Sequence, residues 1–119
     1  MASESGEGSR DERVAQLRKG VLELAILAIL RDGPSYGGEI VARLAAHEGL
    51  VAHRGTVYPL LARLHKAGAL STSWSESPVG PPRKYYTLTP AGRASLRGLR
   101  SAWAQLNDAM TALLEGEDR

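Results

Sequence analysis

The segment from Arg54 to Gly68, called the central segment below, constrains the fold of this chain more than any other. At helical period its apolar side chains fall on one side, as a buried helix face requires: Val57, Leu60, Leu61 and Leu64. The opposite side is nearly bare in the middle and basic or aromatic at its edges: Gly55, Pro59, Ala62 and Lys66, flanked by Tyr58 and Arg63. Such an outer face suits close approach to a large polyanion. An ordinary amphipathic helix with a poorly solvated outer face is the alternative.

The charge distribution favours a polyanionic partner. The 119-residue chain has a net charge of +2, but residues 1–12 and 108–119 each hold four acidic residues and one basic residue. Residues 13–107 therefore carry 13 basic residues against five acidic ones, a net charge of +8. A basic body with acidic ends is typical of proteins that bind nucleic acid; merely solvated surface charge is the alternative.

Length and composition indicate one domain of ordinary globular type. The chain has no cysteine, which excludes disulfides and thiolate metal sites. The apolar run around residues 21–30 is too short to span a bilayer, and residues 1–12 carry no signal-peptide pattern. We therefore expect a cytoplasmic protein that does not contact a membrane.

Two helices are predicted before the central segment. The first runs from about residue 13 to 32 and stops at Gly33-Pro34. Its centre is apolar nearly all round, so one side is expected to face the core and the other a second copy of the chain; full burial in a monomer is the alternative. Ser35 is predicted to cap a second helix that ends near Glu48, with Gly49 as its stop.

The central segment forms the third helix, so the order matches a helix-turn-helix. Pro59 leaves the start of this helix open. If the helix begins near Arg54, Pro59 lies past the first turn and should bend it; if Thr56 is the N-cap, Pro59 is tolerated.

A β-hairpin is predicted after the central segment. Leu70, Thr72 and Trp74 alternate with serines, which is a period-two strand pattern. The turn-rich residues 77–82 connect this run to a second one, at 83–88, that is β-branched and aromatic. A hairpin directly after a helix-turn-helix is a wing.

The last helix is predicted to begin at Thr89-Pro90, an N-cap followed by proline at the first helical position. Its apolar residues recur at alternating spacings of three and four, the seam of a coiled coil: Leu96, Leu99, Trp103, Leu106, Met110 and Leu113. This seam predicts pairing with the same helix of a second copy. Packing onto the chain's own first helix is the alternative.

Taken together, these segments resemble the PadR family of bacterial transcriptional regulators. The resemblance covers residues 17–114 and rests on the order and spacing of short pieces: Gly20-Val21-Leu22-Glu23-Leu24, Gly37 with Glu39-Ile40, Gly55-Thr56-Val57-Tyr58-Pro59, Arg63-Leu64, Gly68, Trp74, and Gly80-Pro81-Pro82-Arg83-Lys84-Tyr85-Tyr86-Thr87-Leu88-Thr89-Pro90-Ala91-Gly92. The short last helix looks like that of the family's small subfamily. The resemblance implies a mainly α, winged helix-turn-helix fold (α-α-α-β-β-α) with a C-terminal dimerisation helix.

Two departures from the family pattern affect the site. Where the family often has His-Gly-Tyr-Glu-Ile, this chain has Tyr36-Gly37-Gly38-Glu39-Ile40, so the aromatic side chain has moved. The family's usual Ser-Pro before Gly-Thr is replaced by His53-Arg54. That change removes a good N-cap but adds a positive charge where phosphate would approach.

The predicted DNA-binding residues lie on the central segment, at the start of the second helix and on the wing: Tyr36, Arg54, Gly55, Thr56, Tyr58, Pro59, Ala62, Arg63, Lys66, Arg83 and Lys84. Their cations would neutralise phosphates, and Arg83 or Lys84 could instead enter a minor groove. The bare middle of the face cannot hydrogen-bond bases through side chains, although Ala62 could contact a thymine methyl. Specificity is therefore expected to lean on shape, wing contacts and half-site spacing.

The predicted dimer interface joins the first and last helices: Leu22, Ile26, Ile29, Leu99, Trp103, Leu106, Met110 and Leu113. By the resemblance, Trp103 occupies a position similar to that at which some family members stack flat aromatic compounds. An aromatic small-molecule effector is therefore expected there, with simple packing against the twin helix as the alternative.

No chemistry beyond binding is predicted. His47, His53 and His65 fit no zinc signature. The sequence shows no nucleophile motif, phosphate-cradling glycine loop or close carboxylate pair. We expect neither an enzyme nor a bound metal or cofactor.

These observations predict a homodimeric, sequence-specific DNA-binding transcriptional regulator, favoured as a repressor, on a pseudo-palindromic operator. The predicted divisions are a disordered acidic tail (1–12), a winged helix-turn-helix domain (13–88), a dimerisation helix (89–114) and an acidic tail (115–119). Two alternatives stay open: a winged-helix module for protein–protein contact, and a small-molecule binding protein without a DNA role.

Overall fold

The computed structural model describes residues 12–14, 17–18 and 20–117 of the chain. Its elements follow in this order: α1 (Leu22–Leu30), β1 (Ser35–Tyr36), α2 (Gly37–Ala45), a 3-10 turn (Glu48–Leu50), α3 (Arg54–Lys66), β2 (Leu70–Ser75), β3 (Arg83–Leu88) and α4 (Pro90–Glu117). The predicted mainly α, winged helix-turn-helix architecture is confirmed, with one short strand more than predicted.

The core lies where α1, α2 and α3 meet the sheet and the first turns of α4. Its buried apolar side chains include Ile26, Leu27, Leu30, Ile40, Leu44, Val57, Leu61, Leu64, Leu70, Leu88 and Leu96. Each such side chain stabilises the fold by about 1.5–3 kcal/mol relative to leaving it in water. The apolar side of the central segment thus faces the core as its periodicity predicted, which leaves the opposite side of α3 in solvent.

The strands form a three-stranded antiparallel sheet of order β1-β3-β2. Strand β1 was not predicted, because two residues are too few for a strand pattern. Ser35 was expected to cap α2, but it lies in β1 opposite Tyr86, and its buried hydroxyl donates a 2.6 Å hydrogen bond to Glu39 Oε1. Tyr36 is the N-cap residue instead, without a side-chain cap bond.

The boundaries of the first two helices differ from those predicted. Gly20 and Val21 form a turn, in which the Val21 amide donates to the Arg18 carbonyl at 2.9 Å, so α1 begins only at Leu22. A glycine is a poor helix former, and the single helix predicted from residue 13 to 32 is wrong at this point. Residues 12–14 and 17–18 are helical, and residues 1–11 of the predicted tail lie outside the described residues. Helix α2 ends at Ala45, before the predicted end at residue 48.

Helix α4 is fastened at its start to the end of α3. Thr89 is the predicted N-cap: its Oγ1 accepts a 3.0 Å bond from the Gly92 amide and donates a 2.6 Å bond to the Gly68 carbonyl. A side chain at Gly92 would collide with the carbonyl oxygen of Ala69, so this close approach requires glycine. The helix runs on to Glu117, which places the start of the predicted acidic tail inside it.

Candidate nucleic-acid interface

Helix α3 leaves its outer side free for a partner. The bare middle of the face is exposed at Gly55, Pro59 and Ala62. The helix begins at Arg54, which decides the open question about Pro59: the proline lies inside the helix. Because proline has no amide hydrogen, the Gly55 carbonyl lacks its usual helical donor. The outer face of α3 therefore presents the backbone carbonyl of Gly55 as well as side chains to a binding partner.

Tyr58 determines how α2 meets α3. Its ring covers Gly37, where an added Cβ would lie 2.7 Å from the hydroxyl end of the Tyr58 ring, so a larger residue at that position would displace the ring. Arg54, one helical turn before Tyr58, donates a 3.3 Å hydrogen bond to the Tyr58 hydroxyl. Its guanidinium carbon lies 6.0 Å from the ring centroid. The tyrosine thus supports an arginine on one exposed flank of α3.

Tyr36 lies between the wing and the start of α2. It pairs with Tyr85 across β1 and β3, and the two rings meet edge to face with their centroids 5.5 Å apart. The guanidinium carbon of Arg83 lies 4.4 Å from the Tyr36 ring centroid. On a third side, an added Cβ at Gly38 would lie 3.3 Å from Tyr36 Cε2 and 3.7 Å from Arg54 Nη2. The displaced aromatic thus fills the space above Gly38.

The wing has two chemically different faces, because side chains alternate along paired strands. One face carries Leu70, Thr72 and Trp74 opposite Leu88, Tyr86 and Lys84, and the other carries three serines opposite Thr87, Tyr85 and Arg83. Arg83 and Lys84 therefore point to opposite faces.

Lys84 also rests on a tyrosine. Its Nζ lies 5.8 Å from the Tyr86 ring centroid. Burial raises the pKa of the Tyr86 phenol, and the nearby phenol of Tyr58 raises it further. Tyr86 is therefore uncharged at neutral pH, and its proximity to Tyr58 places this face of the wing beside α3.

Arg63 and Lys66 differ from the cations above. Arg63 donates a hydrogen bond to Glu23 of α1, with Nη2 and Oε1 3.2 Å apart, so part of its charge is already offset. Among the described residues Lys66 has no carboxylate partner, and it extends the bare face by one turn. Thr56 lies on the same flank of α3 as Arg63, because the two are seven residues apart.

The assignment of two residues to the dimer interface is wrong. Leu22 and Ile26 are buried within their own protomer, with 2% and 0% of their surface exposed, so they have no surface to offer a second copy. Ile29 is half-buried. The apolar stripe of α1 is wider than the surface that the core covers. Ala25, Ala28 and Ile29 lie at the edge of the core and are only partly buried.

The seam of α4 divides into two parts. Leu96 is buried and Leu99 is half-buried against the protomer's own core, as the alternative of packing onto the first helix predicted. Beyond them the seam is in solvent: the exposed fractions are 47% for Trp103, 62% for Leu106, 49% for Met110 and 68% for Leu113. These four positions stay predicted dimer contacts.

The histidines and the helix lengths bear on metal binding and on membrane spanning among the described residues. His47, His53 and His65 are all exposed, and no group of three or more histidine or carboxylate side chains in the described ranges could hold a metal ion. Among the same residues, no helix is long and apolar enough to cross a membrane.

The contacts between tyrosines and cations were not predicted, although short-range signals for two of them exist. Arg54 and Tyr58 are four residues apart on a helix, and Lys84 and Tyr86 are two apart on a strand, so each pair shares a face. The placement of Tyr36 beside Arg83 depends on strand β1 and has no such signal.

Comparison with known proteins identifies relatives that match most of the chain. Residues 26–98 match the model of the Transcriptional regulator PadR-like family. The Transcriptional regulator Rv3488 of Mycobacterium tuberculosis is 36% identical over 93 residues, which cover 76% of this chain and 83% of that protein. A PadR family transcriptional regulator from Eggerthella lenta has a TM-score of 0.81 at 37% identity, covering 92% of this chain and 95% of that one. A PadR-like regulator from Bacillus cereus has a TM-score of 0.76 at 34% identity, covering 83% and 96%.

Proposed function

The chain belongs to the PadR-like family of transcriptional regulators, and from this premise we propose that it is a homodimeric, sequence-specific repressor of a pseudo-palindromic operator. PadR regulators bind DNA and are typically dimers, and they are not enzymes. The repressor role, the operator symmetry and the residues that make each contact are the proposed part.

One observation carries the proposal: four cations on α3 and on the wing have no carboxylate partner in the described ranges. They are Arg54, Lys66, Arg83 and Lys84. Unpaired cations beside a face of glycine, proline and alanine suit a phosphate backbone, which they can approach without first breaking an ion pair. In this proposal α3 enters the major groove and the wing contacts the adjacent backbone or minor groove.

The bare face supports docking by shape. An added Cβ at Gly55 meets nothing within 4 Å in the protein itself, so only a bound partner would be disturbed there. Gly55→Ala is expected to raise the free energy of unfolding, by up to about 0.5–1 kcal/mol, because alanine is the better helix former. The same variant is expected to bind DNA more weakly. Equal or tighter DNA binding would contradict close approach at this position.

The exposed half of α4 supports the homodimer. Trp103, Leu106, Met110 and Leu113 form an apolar stripe that a second copy would cover. Leu106→Glu is expected to shift the mass measured by light scattering from dimer to monomer and to abolish cooperative operator binding. A wild-type protein that is monomeric at the concentrations used for DNA binding would contradict this part of the proposal.

The most detailed part of the proposal is an effector site at Trp103. Its indole is half exposed on the stripe, so a flat aromatic compound could stack on it between two copies. Trp74→Phe leaves Trp103 as the single tryptophan, so ligand quenching in that variant reports on this site alone. Quenching that leaves operator affinity unchanged would favour binding without regulation.

The deciding experiment is a mobility-shift assay on the DNA upstream of the protein's own gene, at two salt concentrations. Specific binding that weakens steeply with salt is expected, because each neutralised phosphate contributes about 0.9 to the slope of log K against log salt. Absence of salt-sensitive binding would instead favour a winged-helix module for protein–protein contact.

A further inference from the structure

Three cations at the candidate interface are each held by a tyrosine ring. Arg54 lies over Tyr58 at 6.0 Å, Arg83 over Tyr36 at 4.4 Å, and Lys84 over Tyr86 at 5.8 Å. The fourth tyrosine of the chain, Tyr85, meets Tyr36 edge to face. All four tyrosines therefore belong to one cluster that joins α3, the start of α2 and the wing.

A tyrosine holds a cation differently from a carboxylate. The ring attracts the cation through its quadrupole, which fixes the position of the cation but leaves its net charge intact. A carboxylate would fix the position and cancel the charge, and DNA would then have to displace it. Cations held by rings are therefore ordered before binding and still fully attractive to phosphate.

The Tyr36–Arg83 pair has the shortest distance and the most constrained ring. Tyr36 is enclosed by Arg83 on its face, Tyr85 at its side and Gly38 at its Cε2 edge. Contacts on three sides restrict the half-buried ring, and β1 anchors its backbone to β3. The Arg83 side chain, by contrast, is exposed at the start of the strand and has no carboxylate partner among the described residues.

We propose that Tyr36 is a positioning residue for DNA binding, whose ring holds Arg83 of the wing toward a phosphate without neutralising it. This inference rests on the proposed DNA-binding function. It assigns Tyr36 a role that acts through Arg83, in place of the direct DNA contact predicted from the sequence. It also explains why an aromatic residue stands before two glycines: Gly37 admits Tyr58, and Gly38 admits Tyr36 itself.

The test is a double-mutant cycle on the full chain with Tyr36→Ala, Tyr36→Phe, Arg83→Ala and the combination of Tyr36→Ala with Arg83→Ala. Affinity is measured by fluorescence anisotropy with a labelled mixed-sequence DNA duplex over a series of salt concentrations, and thermal unfolding reports on the fold. Arg31→Ala is the matched control for loss of one positive charge, since Arg31 lies on α1's C-terminal side and pairs with Asp32 at 3.6 Å.

Tyr36→Ala is expected to weaken binding by about three- to tenfold, the range of a partly desolvated cation–π contact. Its salt slope should fall toward that of Arg83→Ala, which a change in folding alone would not cause. Tyr36→Phe keeps the ring and should stay within about twofold of wild type, and Tyr36→Ala should have almost no effect once Arg83 is alanine.

Two results would overturn the inference while leaving DNA binding intact. Independent, multiplying effects of Tyr36→Ala and Arg83→Ala would show that Tyr36 does not act through Arg83. A Tyr36→Phe variant as weak as Tyr36→Ala would show that the hydroxyl contacts DNA directly. If the wild-type protein itself shows no salt-sensitive binding, the proposed function fails and this inference fails with it.

Discussion

Arginines on the two sides of the helix-turn-helix are held by different kinds of group. Between α1 and α2, Asp32 contacts both Arg31 at 3.6 Å and Arg43 at 3.5 Å, and Arg43 also donates to the Ile29 carbonyl. On the side of α3 and the wing, Arg54 and Arg83 lie over tyrosine rings. The carboxylate of Asp32 offsets the positive charge of its two arginines, whereas a tyrosine ring leaves the charge of its arginine available to a binding partner. The group that holds an arginine therefore reveals more about its role than its exposure does, because all four arginines are exposed.

The largest expected effect comes from removing two cations from one side or from the other. Arg54→Ala with Arg83→Ala is expected to weaken DNA binding by about a hundredfold at low salt, roughly tenfold for each lost phosphate contact, and to lower the salt slope by about two. Arg31→Ala with Arg43→Ala removes the same charge and should change affinity by less than about threefold. Anisotropy titrations measure the DNA affinity of both double variants. Equal losses of affinity would mean that only the net charge of the protein matters.

The second effect tests position without changing charge. Gly37→Ala places a Cβ 2.7 Å from the Tyr58 ring, so the ring must move and Arg54 loses its support. The atoms that must move lie at the end of an exposed side chain, so we expect a loss of only about 1 kcal/mol in the free energy of unfolding, the low end for overpacked sites, and about tenfold weaker DNA binding. Denaturant unfolding and anisotropy measure the two effects. Gly49→Ala is the control, because an added Cβ there meets nothing within 4 Å; a destabilised Gly37→Ala variant with unchanged affinity would contradict a positioning role for Tyr58.

The third effect concerns the ion pair of Arg63. Arg63 lies on α3 but is held by a carboxylate, Glu23 of α1, at 3.2 Å. Glu23→Gln should free Arg63 for phosphate and tighten DNA binding by about two- to fivefold, in keeping with the modest strength of an exposed ion pair. In an Arg63→Gln background the same change should have no effect on affinity. Weaker binding by Glu23→Gln would show that Glu23 orients Arg63 for DNA instead of competing with it.

The smallest effect tests whether the supporting tyrosines stay neutral. Burial raises the pKa of Tyr86 above the ordinary value of 10.0. In the unfolded chain Tyr86 ionises near pH 10, whereas in the folded protein it keeps its proton. Its contribution to stability is therefore fully present below pH 10 and is lost as pH rises through the raised pKa. Urea unfolding should show that Tyr86→Phe loses less stability than wild type between neutral pH and pH above 10; parallel losses would contradict the shift.

Much of the fold could be predicted from the sequence, because local pattern determines it. The period of Val57, Leu61 and Leu64 predicted the buried side of α3, and the alternation at Leu70, Thr72 and Trp74 predicted the hairpin. The candidate site was predicted as a set of residues but not as an arrangement. Which cation meets a ring and which meets a carboxylate depends on tertiary contacts.

Three particular residues show why the rest could not be predicted. Glu23 and Arg63 are 40 positions apart, so no sequence period links them. Ser35 looked like a helix cap because cap preference is local, yet its hydroxyl is drawn into a buried bond to Glu39. Leu22 was assigned to a dimer contact because an all-apolar helix does not reveal which stripe its own core takes.

The fastening of α4 to the end of α3 has a mechanical consequence. Thr89 ties the first turn of α4 to the chain directly beyond α3, because its hydroxyl donates to the Gly68 carbonyl and its amide to the Ala69 carbonyl, while Gly92 permits the close approach. The 28-residue helix that follows is about 42 Å long, so a tilt of it would act as a lever on the end of α3, the helix proposed to contact DNA. Its exposed half begins near Trp103, midway along the helix, and a tilt of that half would be transmitted to the fastened end and to α3. In a pair of such chains, the angle between the two levers would set the distance between the two recognition surfaces.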